Sequence, residues 1–121
     1  MANVLAVDDS ASIRQMIKVV LGPAGHTVIE AGDGAEGIAK AKSSAPNLVI
    51  TDLNMPVMNG LDMIKNLRTL PGLTGVPILF LSTESDEGIK QQAKAAGATG
   101  WITKPFKPDQ LLAVVSKLTR D

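Results

Sequence analysis

VITDLNMPVMNG, residues 49–60, is the stretch on which the reading of this chain turns. Residues 47–51 form an apolar run of strand type that closes on one carboxylate, Asp52, and a Pro/Asn/Gly turn follows. A charge at the end of a buried strand is costly unless something nearby offsets it. A lone Asp in such a place is ordinarily a helix cap or a turn former. Its meaning therefore depends on what the other strands end in.

Working outward, two hydrophobic periods alternate along the 121 residues. Asn3–Val7 is a short apolar run that stops at Asp8. Ile13, Met16, Ile17, Val20 and Leu21 then fall at helical spacing and predict an amphipathic helix, ended by Gly22-Pro23. A strand over 26–30, a helix over 35–42 behind a GDG turn, the strand over 47–51 and a helix over 59–70 come next. Beyond the loop PGLTG lie a strand over 76–82, a helix over Glu87–Ala96 and a short strand over Gly100–Thr103. Leu111, Val114, Val115 and Leu118 mark a last helix behind Pro108-Asp109. Five such β-then-α units predict one α/β domain over residues 1–121, with a parallel sheet covered on both faces. Right-handed crossovers make it an open, doubly wound sheet. In such sheets function collects beyond the carboxyl ends of the strands, near the topological switch point.

Composition narrows the function classes. Apolar residues make up 45% of the chain, enough for a core and too many for a disordered tail. Twelve basic and twelve acidic residues balance without any like-charge block, so nucleic acid is not an expected partner. Without cysteine there is no disulfide or thiol chemistry, and a single histidine leaves zinc without ligands. Two Phe, one Trp and no Tyr supply no base-stacking platform. No signal-peptide pattern and no 18-residue apolar span is present, so a cytoplasmic monomer without membrane insertion is expected.

The strand ends share a chemistry. The first closes on Asp8-Asp9, the third on Asp52, the fourth on Ser82-Thr83, and the fifth is followed by Thr103-Lys104-Pro105. The second, ending in Glu30-Ala31-Gly32, is less distinctive. Two like charges about 4 Å apart cost about 4 kcal/mol at an effective dielectric of 20, so three clustered carboxylates call for a cation or a proton. An all-oxygen site suits Mg2+, which keeps several waters and often shares a phosphate oxygen. Lys104 can neutralise a phosphoryl oxygen as a point charge. Asp52, anchored at a strand end, is the best placed nucleophile for an aspartyl phosphate. Taken singly, each residue has a plainer reading: Asp9-Ser10 as a helix cap, Lys104 as a solvated surface lysine, Ser82 as a cap of the fourth helix. Their coincidence at one edge, in a regular βα register, favours the joint reading.

These pieces resemble the receiver domain of two-component response regulators. The resemblance rests on VDDS (7–10), VITDLNMPVMNGLDM (49–63), LSTES (81–85) and AGATGWITKPF (96–106) and on their spacing, and it spans the whole chain. With no output domain in view, the chain is similar in style to stand-alone chemotaxis regulators of the CheY type. The resemblance implies a flavodoxin-like (βα)5 fold with strand order 2-1-3-4-5. It implies that Asp52 accepts a phosphoryl group from a kinase phosphohistidine, and that Asp8, Asp9, Asp52 and the backbone carbonyl of Asn54 hold Mg2+. Lys104 would pair with the phosphoryl group and Ser82 would hydrogen-bond it. The Lys104–Pro105 bond is often cis in such proteins, and Gly60 would close the turn after Asn59. Asn54 and Glu84 stand two residues beyond the phosphoacceptor and the hydroxyl, where relatives tune self-dephosphorylation. Glu84 also reads simply as a residue favouring a helix N-terminus.

Trp101 departs from the family, which usually has Tyr, Phe or His there. The expectation is that Trp101 changes environment on activation; the plainer reading makes it a fixed interface residue. The fourth helix, GIKQQAKAAGA, offers few large apolar anchors and is expected to be the mobile element. The face made by it, the fifth strand and the fifth helix would then dock a partner, by resemblance a flagellar motor switch protein or a kinase. Met55, Met58 and Met63 are expected to pack around the turn and third helix, and His26 to be structural or exposed. A haloacid-dehalogenase-type phosphatase wants Asp-x-Asp at the first strand and a cap, a flavin domain wants a hydroxyl/glycine phosphate loop, and a phosphate sink shares the same chemistry.

Overall fold

A computed structural model describes residues 2–53, 55, 57–83 and 87–119. Five strands, β1 (Asn3–Val7), β2 (Thr27–Ala31), β3 (Leu48–Thr51), β4 (Ile78–Ser82) and β5 (Gly100–Thr103), alternate with five helices. The helices are α1 (Ala11–Leu21), α2 (Gly34–Ser44), α3 (Gly60–Leu67), α4 (Glu87–Ala96) and α5 (Pro108–Leu118). A short 3-10 turn over Gly22–Ala24 follows α1. All strand pairings are parallel, in the order β2-β1-β3-β4-β5. This is the flavodoxin-like doubly wound sheet that the five βα units and the resemblance predict.

The near-continuous apolar strands bury both faces, as a parallel sheet requires. Val4 and Ala6 of β1, Leu48 and Ile50 of β3, and Leu79 and Leu81 of β4 pack with Ile17 and Leu21 of α1 and Leu111 and Val115 of α5. Their alternates Leu5, Val7, Val49, Ile78 and Phe80 pack with Ala41, Met63, Ile64 and Ala93 from α2, α3 and α4. The period of two in the strands thus sorts the core into two layers, with Met55 and Met58 packed against the second as expected.

Local chemistry sets the helix starts. Ser10 caps α1 by accepting from the Ile13 amide, Asp33 caps α2 through the Glu36 amide, and Asn59 caps α3 through the Asp62 amide. Gly60 brings α3 hard against the end of β3: its N–H donates to the Leu53 carbonyl at 2.8 Å. A Cβ there would meet the Asp52 carbonyl oxygen and stand 2.7 Å from a Phe80 ring carbon.

Several boundaries differ from expectation. The third helix stops at Leu67, three residues short of Leu70, because beyond Arg68 the Thr69 and Leu70 amides bond the carbonyls only three residues back, Asn66 and Leu67, in a tightened turn. β4 starts at Ile78 rather than Val76, since Pro77 has no N–H to give the ladder and only accepts, from Val49. Met16 does not face the core. It is 45% exposed, about 100° round the helix from Ile17. The buried stripe runs instead along Ile17 and Leu21, with Ile13 and Val20 beside it.

Candidate functional site

The topological switch lies between β1 and β3, because the chain passes from β1 to β2 on one side and returns to β3 on the other. Val7 pairs with Thr51, so Asp8 and Asp52 leave adjacent strands side by side. The backbone holds both: the Asp8 amide donates to the Ala31 carbonyl at 3.0 Å and the Asp52 amide to the Val7 carbonyl at 2.9 Å. Carboxylate oxygens of Asp8, Asp9 and Asp52 lie within 4.8 Å of one another. Asp8 is buried, Asp52 half-buried and Asp9 exposed.

Lys104 reaches the same place from the far side of the sheet. Its backbone N–H donates to the Ser82 carbonyl at 2.7 Å, one step beyond the Ser82–Thr103 pairing. Its ammonium lies 2.9 Å from Asp8 Oδ2 and 3.6 Å from Asp52 Oδ1. The other oxygen of Asp8 accepts from the Ser10 amide at 2.9 Å, and Asp52 Oδ1 accepts from the Leu53 amide at 2.8 Å. The Lys104–Pro105 bond is cis.

These contacts act on one proton with opposite signs. Burial raises the Asp52 pKa above the usual aspartate value. The Lys104 ammonium and the Leu53 N–H pull it back, while Asp8 and Asp9 push it further up. The outcome is a carboxyl held above its ordinary value, its burial offset only in part by the lysine.

Of the residues expected at the site, Asp8, Asp9, Asp52 and Lys104 come together. Ser82 is buried at the end of the neighbouring strand. Trp101 sits on β5 away from the acids, its ring centroid 5.2 Å from that of Phe80 and 5.9 Å from the Lys90 ammonium. Asn54 and Glu84 lie outside the described residues. His26 is remote from this edge. Its Nδ1 is buried without a hydrogen-bond partner among the described residues, and burial holds its pKa below the usual imidazole value.

Two arginines escaped the sequence reading. Arg14 donates to the Asp8 carbonyl and to Glu30, and Arg68 gathers four backbone carbonyls from two loops. Only the position of Arg14, one turn into the helix behind the Asp8-Asp9 pair, could have hinted at its contact.

The fold and this edge define a doubly wound domain with an acidic, oxygen-only rim and a lysine set into it. Residues 4–116 match the response regulator receiver domain family, and the chain belongs to it. It is 47% identical to the chemotaxis protein CheY4 of Vibrio cholerae, whose structure it matches with a TM-score of 0.94 over 98% of both chains. It is 38% identical over 113 residues to the DNA-binding response regulator MtrA of Mycobacterium tuberculosis, covering 93% of this chain and 48% of that protein. The hybrid signal transduction histidine kinase D of Dictyostelium discoideum is 34% identical over 115 residues, 95% of this chain and 7% of the kinase. The chain thus spans about half the length of the mycobacterial relatives it matches.

Receiver domains are phosphoacceptor signalling domains rather than enzymes in the usual sense; they take phosphate from histidine kinases and generally bind Mg2+ at an acidic pocket. The residues here fit that ion. Oxygens on opposite sides of an octahedral Mg2+ stand ~4.2 Å apart at bond lengths of about 2.1 Å. The three carboxylate oxygens, all within 4.8 Å of one another, are spaced on that scale. No helix among the described residues is long and apolar enough to cross a membrane.

Proposed function

We propose that the protein is a phosphorylation-activated signalling switch whose phosphoacceptor is Asp52. The observation that carries the reading is the convergence of three carboxylates within 4.8 Å with an ammonium 2.9 Å from Asp8 and 3.6 Å from Asp52. A carboxylate oxygen of Asp52 attacks the phosphorus of a kinase phosphohistidine. The P–N bond breaks, its electron pair stays on the imidazole, which takes up a proton, and an acyl phosphate remains on Asp52. Asp8, Asp9 and Asp52, with the Asn54 carbonyl, would hold Mg2+, which when bound would neutralise charge on the acids and on the phosphoryl oxygens. Lys104 exchanges an acid partner for a phosphoryl oxygen, and the Ser82 hydroxyl hydrogen-bonds another. Asn54 and Glu84 orient the water that hydrolyses the product.

The phosphoryl group adds close to two negative charges and new acceptor oxygens. Ser82 and Lys104 contact it only in the modified state, so they stabilise one conformer over another. The change is read at the face of α4, β5 and α5, which includes Trp101 and Lys90. Likeness to a chemotaxis protein over 98% of both chains supports a chemotaxis kinase as donor and a flagellar motor switch protein as target. The 38% identity to DNA-binding regulators of twice this length favours, as second reading, a transcriptional output.

Incubation with acetyl phosphate and Mg2+, followed by intact mass, tests the chemistry. Wild type gains one phosphoryl group and Asp52→Asn gains none. No gain in wild type, or a gain that survives Asp52→Asn, overturns the assignment. Pull-downs with the modified and unmodified forms separate a motor partner from a transcriptional one.

A further inference from the structure

Arg14 is the fourth residue of α1, and its guanidinium turns back toward the end of β1. Nη1 donates to the backbone carbonyl of Asp8 at 2.5 Å and Nε donates to Glu30 Oε1 at 3.0 Å. Glu30, on β2, has its second oxygen 3.2 Å from the Lys18 ammonium. Its carbonyl accepts from Lys40 of α2 at 3.1 Å. Burial pushes the Glu30 carboxyl up, but the bonds from Arg14 and Lys18 outweigh it and hold the group below the usual range. The fork is therefore held at both ends, one on the strand carrying Asp8 and the other on its neighbour.

The consequence falls on residues 8–10. The Asp8 amide is bound to Ala31, its carboxylate accepts from the Ser10 amide, and Ser10 caps α1. The Asp8 carbonyl belongs to the peptide that joins Asp8 to Asp9, and Arg14 is its partner. Asp9 is exposed and makes no hydrogen bond or ion pair among the described residues. Its aim toward the other two acids is set by its backbone alone, and that peptide is one of the two that define it. Glu30 also cancels the charge of Arg14, so a guanidinium close to the rim does not repel a divalent cation.

We propose that Arg14, locked by Glu30, is a positioning residue for the divalent cation: it fixes the Asp8–Asp9 peptide so that both carboxylates face the ion. This rests on the metal-binding reading above. Groups that orient metal ligands typically contribute 10–100-fold in affinity. Arg14→Met is expected to weaken Mg2+ binding by about tenfold or more. Arg14→Lys keeps the charge but not the fork, and is expected to stay weakened. Glu30→Gln keeps an acceptor for Nε and should retain more affinity than Glu30→Ala.

The test is calorimetric titration of the unphosphorylated protein with Mg2+, beside thermal melting without metal. Leu118→Ala, in the α1/α5 core but beside Gly100 at the opposite end of the strands from the acids, supplies a control whose melting falls while its Mg2+ affinity does not. Arg14→Met binding Mg2+ within twofold of wild type, or losing affinity only as much as the Leu118→Ala control, overturns the role of Arg14. Should Arg14→Met fail to fold, Glu30→Ala breaks the same lock and is read the same way. A wild type without Mg2+ affinity overturns the metal reading itself along with this one.

Discussion

Burial, the carboxylates of Asp8 and Asp9, and the ammonium of Lys104 all act on the carboxyl of Asp52. Its raised pKa means that the folded protein holds this proton more tightly than the unfolded chain does. Between the ordinary aspartate value and the raised one, the folded state binds more protons, so stability falls as pH rises through that window. Asp52→Asn removes the charge, and is expected to be more stable than wild type at neutral pH by on the order of 1 kcal/mol. The advantage vanishes near about pH 3, below the ordinary aspartate range; urea midpoints at the two pH values check it. Lys104 is the counterpart. Its removal strands Asp8, whose side chain is 3% exposed, beside Asp52 at 12%. Lys104→Met is expected to cost about 3 kcal/mol at neutral pH, less in acid. Because the lysine occupies oxygens a cation would use, Mg2+ should raise the melting temperature of Lys104→Met by more than that of wild type. An equal rise in both proteins would mean that lysine and ion do not share ligands.

The helices differ in how firmly they are held. α1 and α5 each set two fully buried aliphatic residues into the sheet, whereas α4 buries only Ala93. Beside that apolar contact, a polar tie holds the carboxyl end of α4. Arg68 Nη2 donates to the Gly97 carbonyl at 2.6 Å, while Nη1 donates to the carbonyls of Leu73, Thr74 and Val76 at 2.8–3.1 Å. The arginine ties the turn after α4 to the loop before β4. Arg68→Met frees four carbonyls and is expected to cost about 2–3 kcal/mol, with amide exchange accelerating most in α4. Gly97 has φ +112°, and a Cβ there would stand 2.7 Å from Arg68 Nε. Gly97→Ala is therefore expected to cost about 2 kcal/mol and to loosen the same helix. Trp101, the one tryptophan, lies under this helix with Lys90 over its ring. Its emission is expected to shift when a phosphoryl mimic binds with Mg2+. Unchanged emission would make it a fixed part of the docking face.

At the scale of the molecule, the sequence was informative where function rides on side chains at strand ends. The apolar runs could be read because both faces of the sheet are buried, and the acids stood out because each closes such a run. Strand order was not readable from periodicity, since the five runs look alike; family resemblance supplied it, and the parallel pairings agree. Met16 misled because a stripe of apolar residues is wider than the line of contact beneath it. Arg14 and Arg68 stayed invisible for a different reason. Both act on backbone carbonyls, which every residue carries and no motif marks.

The ammonium beside Asp8 belongs to a residue 96 positions further along the chain. Neither the acids of the first strand nor that of the third meets its cation until the last strand has joined the sheet. A nascent chain still lacking the segment around Lys104 on the ribosome, or one released short of it, has the acids but no finished pocket. The pocket is in this way a late product of synthesis, complete only when the last strand has been laid against its neighbour.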